Sequence, residues 1–398
     1  MINFISARPV RSILLAIILS QLAGCGGFDG IKESVSSGFG LFSGSAAVKP
    51  SPLPDITPKV SLKLMWQAHI GAAGEFAFSP AIDGDSVFVG GKDGHIARLD
   101  AANGHQKWNV DTHSTLSGGV GAGQGLVVVG TANGHVLAYD QKNGALLWNA
   151  RVSSEVLSAP HLAGDRVIVR SADSHIVALD VQDGKAVWTY QRETPALTLR
   201  SYAGLLAVRG AVFSGFAGGK LAALDATTGL VGWEASVALP HGTSELERIA
   251  DITSDPVADS RYVYAVAYQG RVACVDAQSG NLVWARDMSS YAGLNQDEKN
   301  LYVSDASGAV VALDKSGGAS MWKQDKLLGR QLTAPDIGGG YVVVGDFQGY
   351  VHLLSREDGS LAGRFATDGT PIRVRPISLD GGLLIQTSGG GLYAIAIQ

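Results

Sequence analysis

Three histidines in the first half of the chain stand 40 residues apart and could suggest a metal site: His95, His135 and His175. Imidazole nitrogen is a common ligand of Zn²⁺, which usually binds three or four protein side chains. Each of these histidines, however, has the same place in a segment that repeats along the chain. Equivalent positions of successive repeats need not converge on one point, so we predict a shared repeat position and no metal site.

A glycine-rich stretch from Gly119 to Gly125 superficially suggests a phosphate-binding loop. Such loops bind phosphate at the N-terminus of the helix that follows them. Here the next residues, Leu126 to Val129, have the composition of an apolar strand. No spacing typical of a Ser-His-Asp triad or of a catalytic carboxylate pair stands out elsewhere, so we predict that the protein has no catalytic residues and is not an enzyme.

The N-terminus has the features of a secretory signal. Arg8 and Arg11 precede an apolar run, Ser12 to Leu22, that is too short to span a bilayer comfortably. The run ends in Leu22-Ala23-Gly24-Cys25, which resembles the bacterial lipobox, where the signal is cut before a lipidated cysteine. We therefore expect Cys25 to carry lipid, palmitate included. Gly26 replaces the aspartate of an inner-membrane retention signal, which favours the periplasmic face of the outer membrane.

The other cysteine, Cys274, has no partner for a disulfide if Cys25 carries lipid. It stands two residues before Asp276, in a place where other repeats have alanine. We therefore expect a small buried thiol at this position.

The formal net charge is -5, and losing the two positive charges of Arg8 and Arg11 with the signal makes it -7. Proteins that bind nucleic acid usually carry a basic patch or stripe. An acidic surface is not attracted to anionic lipid either. We expect no nucleic-acid partner, and contact with the membrane through the lipid anchor only.

Most of the chain repeats a unit of two strands joined by a turn. In six copies an Asp is followed eight residues later by a Trp, from Asp100 and Trp108 to Asp314 and Trp322. Successive Asp positions are 38 to 51 residues apart, which is the range of a propeller blade. A turn pair such as Asp93-Gly94 lies seven and six residues before each Asp position. Eight such pairs predict eight hairpins, most with two-residue turns.

The two ends of the repeat region are complementary. Trp66 has no Asp strand before it, and the strand from Tyr393 to Ala396 has no Trp strand after it. Pairing them would complete one blade and leave no free edge. We predict an all-β fold, an eight-bladed β-propeller at 61–398 closed by its N- and C-terminal strands, after a signal peptide at 1–24 and a lipidated flexible tether at 25–60. The seven tryptophans should pack between blades.

Two neighbouring segments between the repeats are longer than the others. The first contains Leu197, Leu199 and Arg200, and the second contains the acidic run Ser244 to Asp251. Both occupy the same loop of adjacent blades, so we expect them side by side on one face. Apolar and arginine side chains beside an acidic loop suit a protein-binding surface. Leucines turned into the core are the alternative.

Four features together resemble the BamB family: the lipobox, the eight repeats, the motif Leu197-x-Leu199-Arg200 and the run Thr243 to Asp251. The repeats are of the kind seen in pyrroloquinoline-quinone enzymes. Its members are the propeller lipoproteins of the outer-membrane β-barrel assembly machinery, the Bam complex. The resemblance covers essentially the whole chain, including Val344 to Tyr350.

The resemblance implies a monomeric scaffold that binds the POTRA domains of BamA within the rest of the Bam complex and assists the folding and insertion of outer-membrane proteins. It implies that Leu197, Leu199, Arg200 and Asp251 bind this partner. The acidic loop of the family looks like Asp-x-Asp, whereas this chain has Thr253 at the second position. That departure bears on the strength of one polar contact.

Two other functions stay open at this point. A periplasmic quinoprotein-like dehydrogenase would use the same repeat, but the chain lacks the adjacent cysteine pair and the central insertions that would supply calcium and quinone ligands. We therefore expect no cofactor. A propeller that binds cell-wall sugars is the second alternative.

Overall fold

The computed structural model describes residues 49–195 and 197–398. Its strands form eight four-stranded antiparallel sheets, the blades of a β-propeller, which confirms the predicted fold class. In seven blades the four strands follow one another along the chain, and the first strands of most neighbouring blades contact each other. The described part of the chain has no helix with the length and apolarity to cross a bilayer.

The strands are numbered in chain order. Blade 1 has β2 (Ala81–Asp83), β3 (Ser86–Gly90), β4 (His95–Asp100) and β5 (Gln106–Asp111); blade 2 has β6 (Leu116–Gly123), β7 (Leu126–Thr131), β8 (His135–Asp140) and β9 (Leu146–Arg151); blade 3 has β10 (His161–Ala163), β11 (Arg166–Arg170), β12 (Ile176–Asp180) and β13 (Ala186–Tyr190); blade 4 has β14 (Leu206–Val208), β15 (Ala211–Phe216), β16 (Lys220–Asp225) and β17 (Val231–Ser236).

Blade 5 has β18 (Val257–Ala258), β19 (Tyr262–Val266), β20 (Arg271–Asp276) and β21 (Leu282–Asp287); blade 6 has β22 (Gly293–Gln296), β23 (Asn300–Ser304), β24 (Val310–Asp314) and β25 (Ser320–Gln324); blade 7 has β26 (Asp336–Gly338), β27 (Tyr341–Gly345), β28 (Tyr350–Ser355) and β29 (Leu361–Ala366); blade 8 has β30 (Ile377–Leu379), β31 (Gly382–Gln386), β32 (Gly391–Ile397) and, as its outer strand, β1 (Leu62–His69).

The middle strands of a blade are apolar on both faces because each blade packs between two others. In β7, Val127 and Val129 lie in a cluster with residues of blade 1, whereas Val128 between them lies in a cluster with residues of blade 3. Successive side chains of a strand point to opposite faces of its sheet. An unbroken apolar run is therefore what a middle strand requires, and every residue of β7 is buried.

The N- and C-terminal strands close the ring. β1 pairs antiparallel with β32, from Leu62 opposite Ile397 to His69 opposite Gly391. β32 also pairs with β31 on its other side, so the last strand of the chain lies in the middle of blade 8. This pairing confirms the predicted closure.

Each tryptophan ties its blade to the next one. Its indole nitrogen donates a hydrogen bond, 2.8 to 3.1 Å long, to the carbonyl of the residue that follows the Asp position of the next blade. The ring also covers the glycine of that blade's last turn: a Cβ atom on Gly229 would lie 2.6 Å from the Trp188 ring. The predicted packing role of the tryptophans is confirmed.

The hairpins between second and third strands have three-residue loops, not the predicted two-residue turns. In blade 1, Gly91 N donates to His95 O and Gly94 N donates to Gly91 O, which leaves three residues outside the ladder. Gly94 has a φ of +96°, but Asp93 does not adopt a positive φ. A two-residue type I′ turn would need positive φ at both positions, so the turn pair is only the end of a longer loop.

Residues 51–60, which the sequence assigns to the tether, lie against blade 7. Ser51 N donates to Leu328 O at 2.9 Å, and Lys59 N donates to Ala362 O at 2.7 Å. Val60 packs over Gly363, the position that holds Trp in the other repeats, where a Cβ atom would lie 2.9 Å from the valine. Composition could not predict this docking, because the contacts are made by backbone groups and one valine. The predicted signal peptide and Cys25 lie outside the described residues.

A buried charge cluster lies where the docked segment begins. Asp346, completely buried, accepts hydrogen bonds from Arg330 and from Nε2 of His352, with O···N distances of 2.6 and 3.0 Å. The Arg330 guanidinium lies over the rings of Phe347 and Tyr350 and donates to Ser51 O at 3.1 Å. The motif Val344 to Tyr350 thus positions Arg330, which hydrogen-bonds to the docked segment.

Candidate functional site

The candidate site lies on one face of the ring, which we call the connection face. It carries the blade-to-blade connections and, because antiparallel strands alternate in direction, also the hairpins between second and third strands. The two long segments are such connections: 191–205 joins β13 to β14, and 237–256 joins β17 to β18. Leu199 N donates to Asp251 Oδ2 at 2.8 Å, so the two segments lie side by side, as predicted.

Asp251 holds this arrangement together from inside. Its side chain is buried, with the residue only 4% exposed. One carboxylate oxygen accepts the Leu199 N–H and the other accepts the Gly218 N–H at 3.0 Å, in the hairpin between β15 and β16. Its own carbonyl accepts the Tyr268 N–H. Asp251 therefore positions the loop that carries Leu199 and presents no free carboxylate oxygen.

Leu197 and Arg200 both reach solvent. Leu197 is 41% exposed, and Leu199 is half-buried between them. Arg200 pairs with Glu155 of the connection between blades 2 and 3, with an N···O distance of 2.9 Å, and its guanidinium lies over the Phe76 ring. Two further leucines are exposed on segment 237–256, Leu239 at 65% and Leu246 at 45%. The predicted leucines thus belong to a surface with apolar and charged groups.

Ser201 and Tyr202 hydrogen-bond segment 191–205 to other connections on this face. Ser201 Oγ donates to Thr253 O at 3.2 Å, and Thr253 Oγ1 donates to Tyr291 O at 3.1 Å. Tyr202 Oη donates to Glu75 O at 2.7 Å, in the connection between blades 8 and 1. The segment is therefore tied to the connections of several blades, and Leu199 and Arg200 lie on a braced loop.

A second acidic residue of segment 237–256 is Asp255, which the sequence reading did not single out. Asp255 is exposed, and its Oδ1 accepts the Gly204 N–H at 2.6 Å. It stands two residues after Thr253, so this chain has a carboxylate near the place where the family motif has one. Glu155 and Phe76 were also missed, because they come from other blades and no local pattern links them to Arg200.

The three repeat histidines lie in three different blades, at or directly before the start of the third strand, and His95 and His135 hydrogen-bond within their own blades. His95 Nδ1 is 3.1 Å from Asn109 Oδ1, and His135 Nδ1 is 2.9 Å from Asn149 Oδ1. His175 Nδ1 lies 3.1 Å from the carboxylate of Asp173. Among the residues described, no three His, Cys, Asp or Glu side chains are grouped as metal ligands.

Cys274 is completely buried in the core of blade 5, as expected from the alanines at its position in other repeats. Burial raises the pKa of its thiol to about 12. A thiol with such a pKa is an inert packing group at neutral pH.

Comparison with known proteins agrees with this architecture. The family model described as outer membrane protein assembly factor BamB matches residues 59–116 and 92–324. Curated proteins of that name share 42% identity over 98% of this chain and 96% of the Nitrosomonas eutropha protein, and 48% identity over 88% of this chain and 93% of the Pseudomonas aeruginosa protein.

Solved structures give the same result. BamB from Moraxella catarrhalis superposes with a TM-score of 0.77 and 28% identity over 84% of this chain and all of that chain. Quinohemoprotein alcohol dehydrogenase from Comamonas testosteroni has a TM-score of 0.67 at 12% identity, over 84% of this chain and 76% of that one, which shows a shared fold alone. The curated relatives bear the name of an assembly factor and not of an enzyme. The chain belongs to the BamB family of outer membrane protein assembly factors.

Proposed function

We propose that this protein is a non-catalytic scaffold in the assembly of outer-membrane proteins, and that the connection face around Leu197, Leu199 and Arg200 binds the POTRA domains of BamA. The observation that carries the proposal is an exposed apolar and cationic loop fixed by a buried carboxylate. Binding energy concentrates in a few anchors of this type, whose fixed conformation lowers the entropy cost of binding.

The proposal includes attachment to the periplasmic face of the outer membrane through lipid on Cys25, with the protein monomeric in the Bam complex. The names of the relatives support a role in outer-membrane protein assembly. The lipobox supports the anchor. The dehydrogenase alternative has the support of shared fold alone, so it is not favoured.

The direct test is a binding titration of the purified mature protein, which begins at Cys25, with the POTRA domains of BamA from the same organism. We expect a saturable one-to-one complex. Failure to bind at any concentration that the proteins tolerate would refute the proposed partner. Fractionation of cells that express Cys25→Ala tests the anchor separately: the variant should appear in the soluble periplasmic fraction, and full retention in membranes would refute lipidation at Cys25.

A further inference from the structure

A polar cleft of about 260 Å³ lies directly beneath the loop that carries Leu199 and Arg200. Its walls come from the connection between blades 2 and 3, the second hairpin of blade 3 and the two long segments. The lining residues include Ser158, Ser174, Thr198 and Arg170. The cleft is smaller than most small-molecule pockets, which measure roughly 300–1,000 Å³, and its size suits a single side chain.

Arg170 is the unusual member of this lining. It ends β11, lies over the Phe216 ring with 5.1 Å to the ring centroid, and its Nη1 donates to the carbonyls of Ala203 and Gly204 at 3.2 and 3.3 Å. Within the described chain, no carboxylate lies within 4.0 Å of its nitrogens, and its Nε and Nη2 atoms form no hydrogen bond. Burial lowers the pKa of Arg170 to about 10, an effect that the charge of nearby Asp255 opposes only in part.

The acidic residues in and around the cleft form no ion pair with Arg170; Asp255, the one whose charge acts on it, accepts the Gly204 N–H instead. Both carboxylate oxygens of Asp251 accept backbone N–H groups, and Glu155 pairs with Arg200 at the rim. The hydroxyls of Ser158 and Ser174 have no hydrogen-bond partner among the described residues, although both residues are more than 90% buried. A guanidinium with two free donor atoms and neighbouring hydroxyls has the donor set that binds a carboxylate in a bidentate manner.

We propose that this cleft receives a carboxylate side chain of the protein that docks on the connection face, and that Arg170 is its ion-pair partner. The inference rests on the proposed function and names an acidic anchor for that interaction. The location of the cleft favours a carboxylate carried by the docked protein, because the cleft lies beside Leu199 and Arg200, which are proposed to bind that protein. Buried, well-packed charge pairs of this type are where truncation costs an interface most.

The test compares Arg170→Gln with Arg192→Gln in the POTRA titration, using the full-length protein. Arg192 is a matched control because its guanidinium also lies over the Phe216 ring, but it is paired with Glu234 and does not line the cleft. We expect Arg170→Gln to weaken binding tenfold or more and Arg192→Gln to change it less than twofold. Arg170→Lys keeps the charge without the planar guanidinium, so its loss of affinity should be intermediate. This variant replaces Arg170→Gln in the titration if the glutamine variant does not fold.

The outcomes separate the inference from the proposed function. If Leu199→Ala loses binding while folded Arg170 variants bind like wild type, the scaffold function stands and the carboxylate site is refuted. If all these variants bind normally, both are refuted. Calorimetry with sodium acetate alone, against sodium chloride at equal ionic strength, tests for a site of free carboxylates: acetate binding that depends on Arg170, together with unchanged partner binding, would also refute the inference.

Discussion

At the scale of single residues, the candidate site depends on side chains with two different tasks. Leu197 and Arg200 face solvent, whereas Asp251 is buried and accepts the N–H groups of Leu199 and Gly218. Sequence reasoning found all of them but could not separate the two tasks. Whether a carboxylate faces a partner or caps a backbone depends on where distant segments lie.

This difference predicts a different phenotype for Asp251→Ala. The substitution leaves two N–H groups without acceptors, and an unsatisfied buried donor costs about 1–3 kcal/mol. We expect a lower free energy of unfolding in urea together with weaker POTRA binding, whereas Leu197→Ala should affect binding alone. An Asp251→Ala protein that unfolds like wild type and still loses binding would mean that the carboxylate contacts the partner directly.

A second residue-scale prediction concerns pH and His352. Its Nε2 donates to Asp346 and its Nδ1 accepts a hydrogen bond from Arg364 Nε, so the ring is neutral. Burial lowers the pKa of His352. The unfolded chain therefore takes up this proton near pH 6.5, before the native protein does, and stability falls as the pH decreases from there, by up to about 1.4 kcal/mol per pH unit.

His352→Gln keeps a donor to Asp346 but cannot titrate. Urea unfolding at pH 7.5 and pH 5.5 should show a smaller loss of stability for this variant than for wild type. Burial also lowers the pKa of His161, so some pH dependence should persist. An identical loss in both proteins would contradict the assignment of a neutral His352.

At the scale of strands and turns, the repeat is held by a tryptophan that covers a glycine of the next blade. Gly229 has a φ of +72°, and a Cβ atom there would lie 2.6 Å from the Trp188 ring. Gly210 has a φ of +77°, but a Cβ atom would meet nothing within 4 Å. The two glycines therefore share the backbone requirement and differ in the contact.

We predict that Gly210→Ala costs about 1–2 kcal/mol of stability, the price of a left-handed alanine. Gly229→Ala should cost at least about 1 kcal/mol more, because the methyl group displaces the indole. Urea unfolding of both variants measures the difference. Equal losses would show that the tryptophan adjusts freely and that the lock between blades is weak.

The spacing of Asp, Gly and Trp was enough to predict eight hairpins and the contact between blades, because each repeat places the same residues at the same positions. It did not predict the three-residue hairpin loops, since the turn pair marks only the last two loop residues. It also missed the packing of Val60 on Gly363. In that contact a residue from outside the repeat packs where the other repeats have tryptophan. The repeat pattern therefore could not predict it.

At the scale of the whole molecule, the ring depends on its last strand. β32 pairs with β31 on one side and β1 on the other, so deletion of Leu392 to Gln398 leaves two unpaired edges. Open strand edges promote association. We expect the truncated protein to aggregate or to lose cooperative unfolding, as followed by size-exclusion chromatography and thermal melting. A monomer that melts like the full chain would contradict closure through the termini.

The fold also places the start of the docked segment 51–60 on the same face of the ring as the candidate site. Ser51 bonds to the connection between blades 6 and 7, on the connection face that also carries Leu199 and Arg200. The sequence predicted that the two long segments meet, because they occupy equivalent places in adjacent blades. It could not predict Glu155, Phe76 or the cleft at Arg170, which form only when the ring brings several blades together.

The central claim is that Leu199 and Arg200 are partner anchors and not parts of the core. The most direct test measures POTRA binding and thermal melting on the same purified Leu199→Ala and Arg200→Ala variants. Leu230→Ala is the control, since Leu230 is 71% exposed in a turn on the opposite face. Truncating an anchor costs about 2 kcal/mol, a roughly thirtyfold loss of affinity, and a surface change costs under about 0.5 kcal/mol of stability.

We predict that both site variants lose about thirtyfold in affinity and melt within a few degrees of wild type, while Leu230→Ala and Thr253→Ala bind nearly normally. Normal binding by Leu199→Ala and Arg200→Ala, or lost binding accompanied by a collapse of the melting temperature, would contradict the claim and place the interface elsewhere on the propeller.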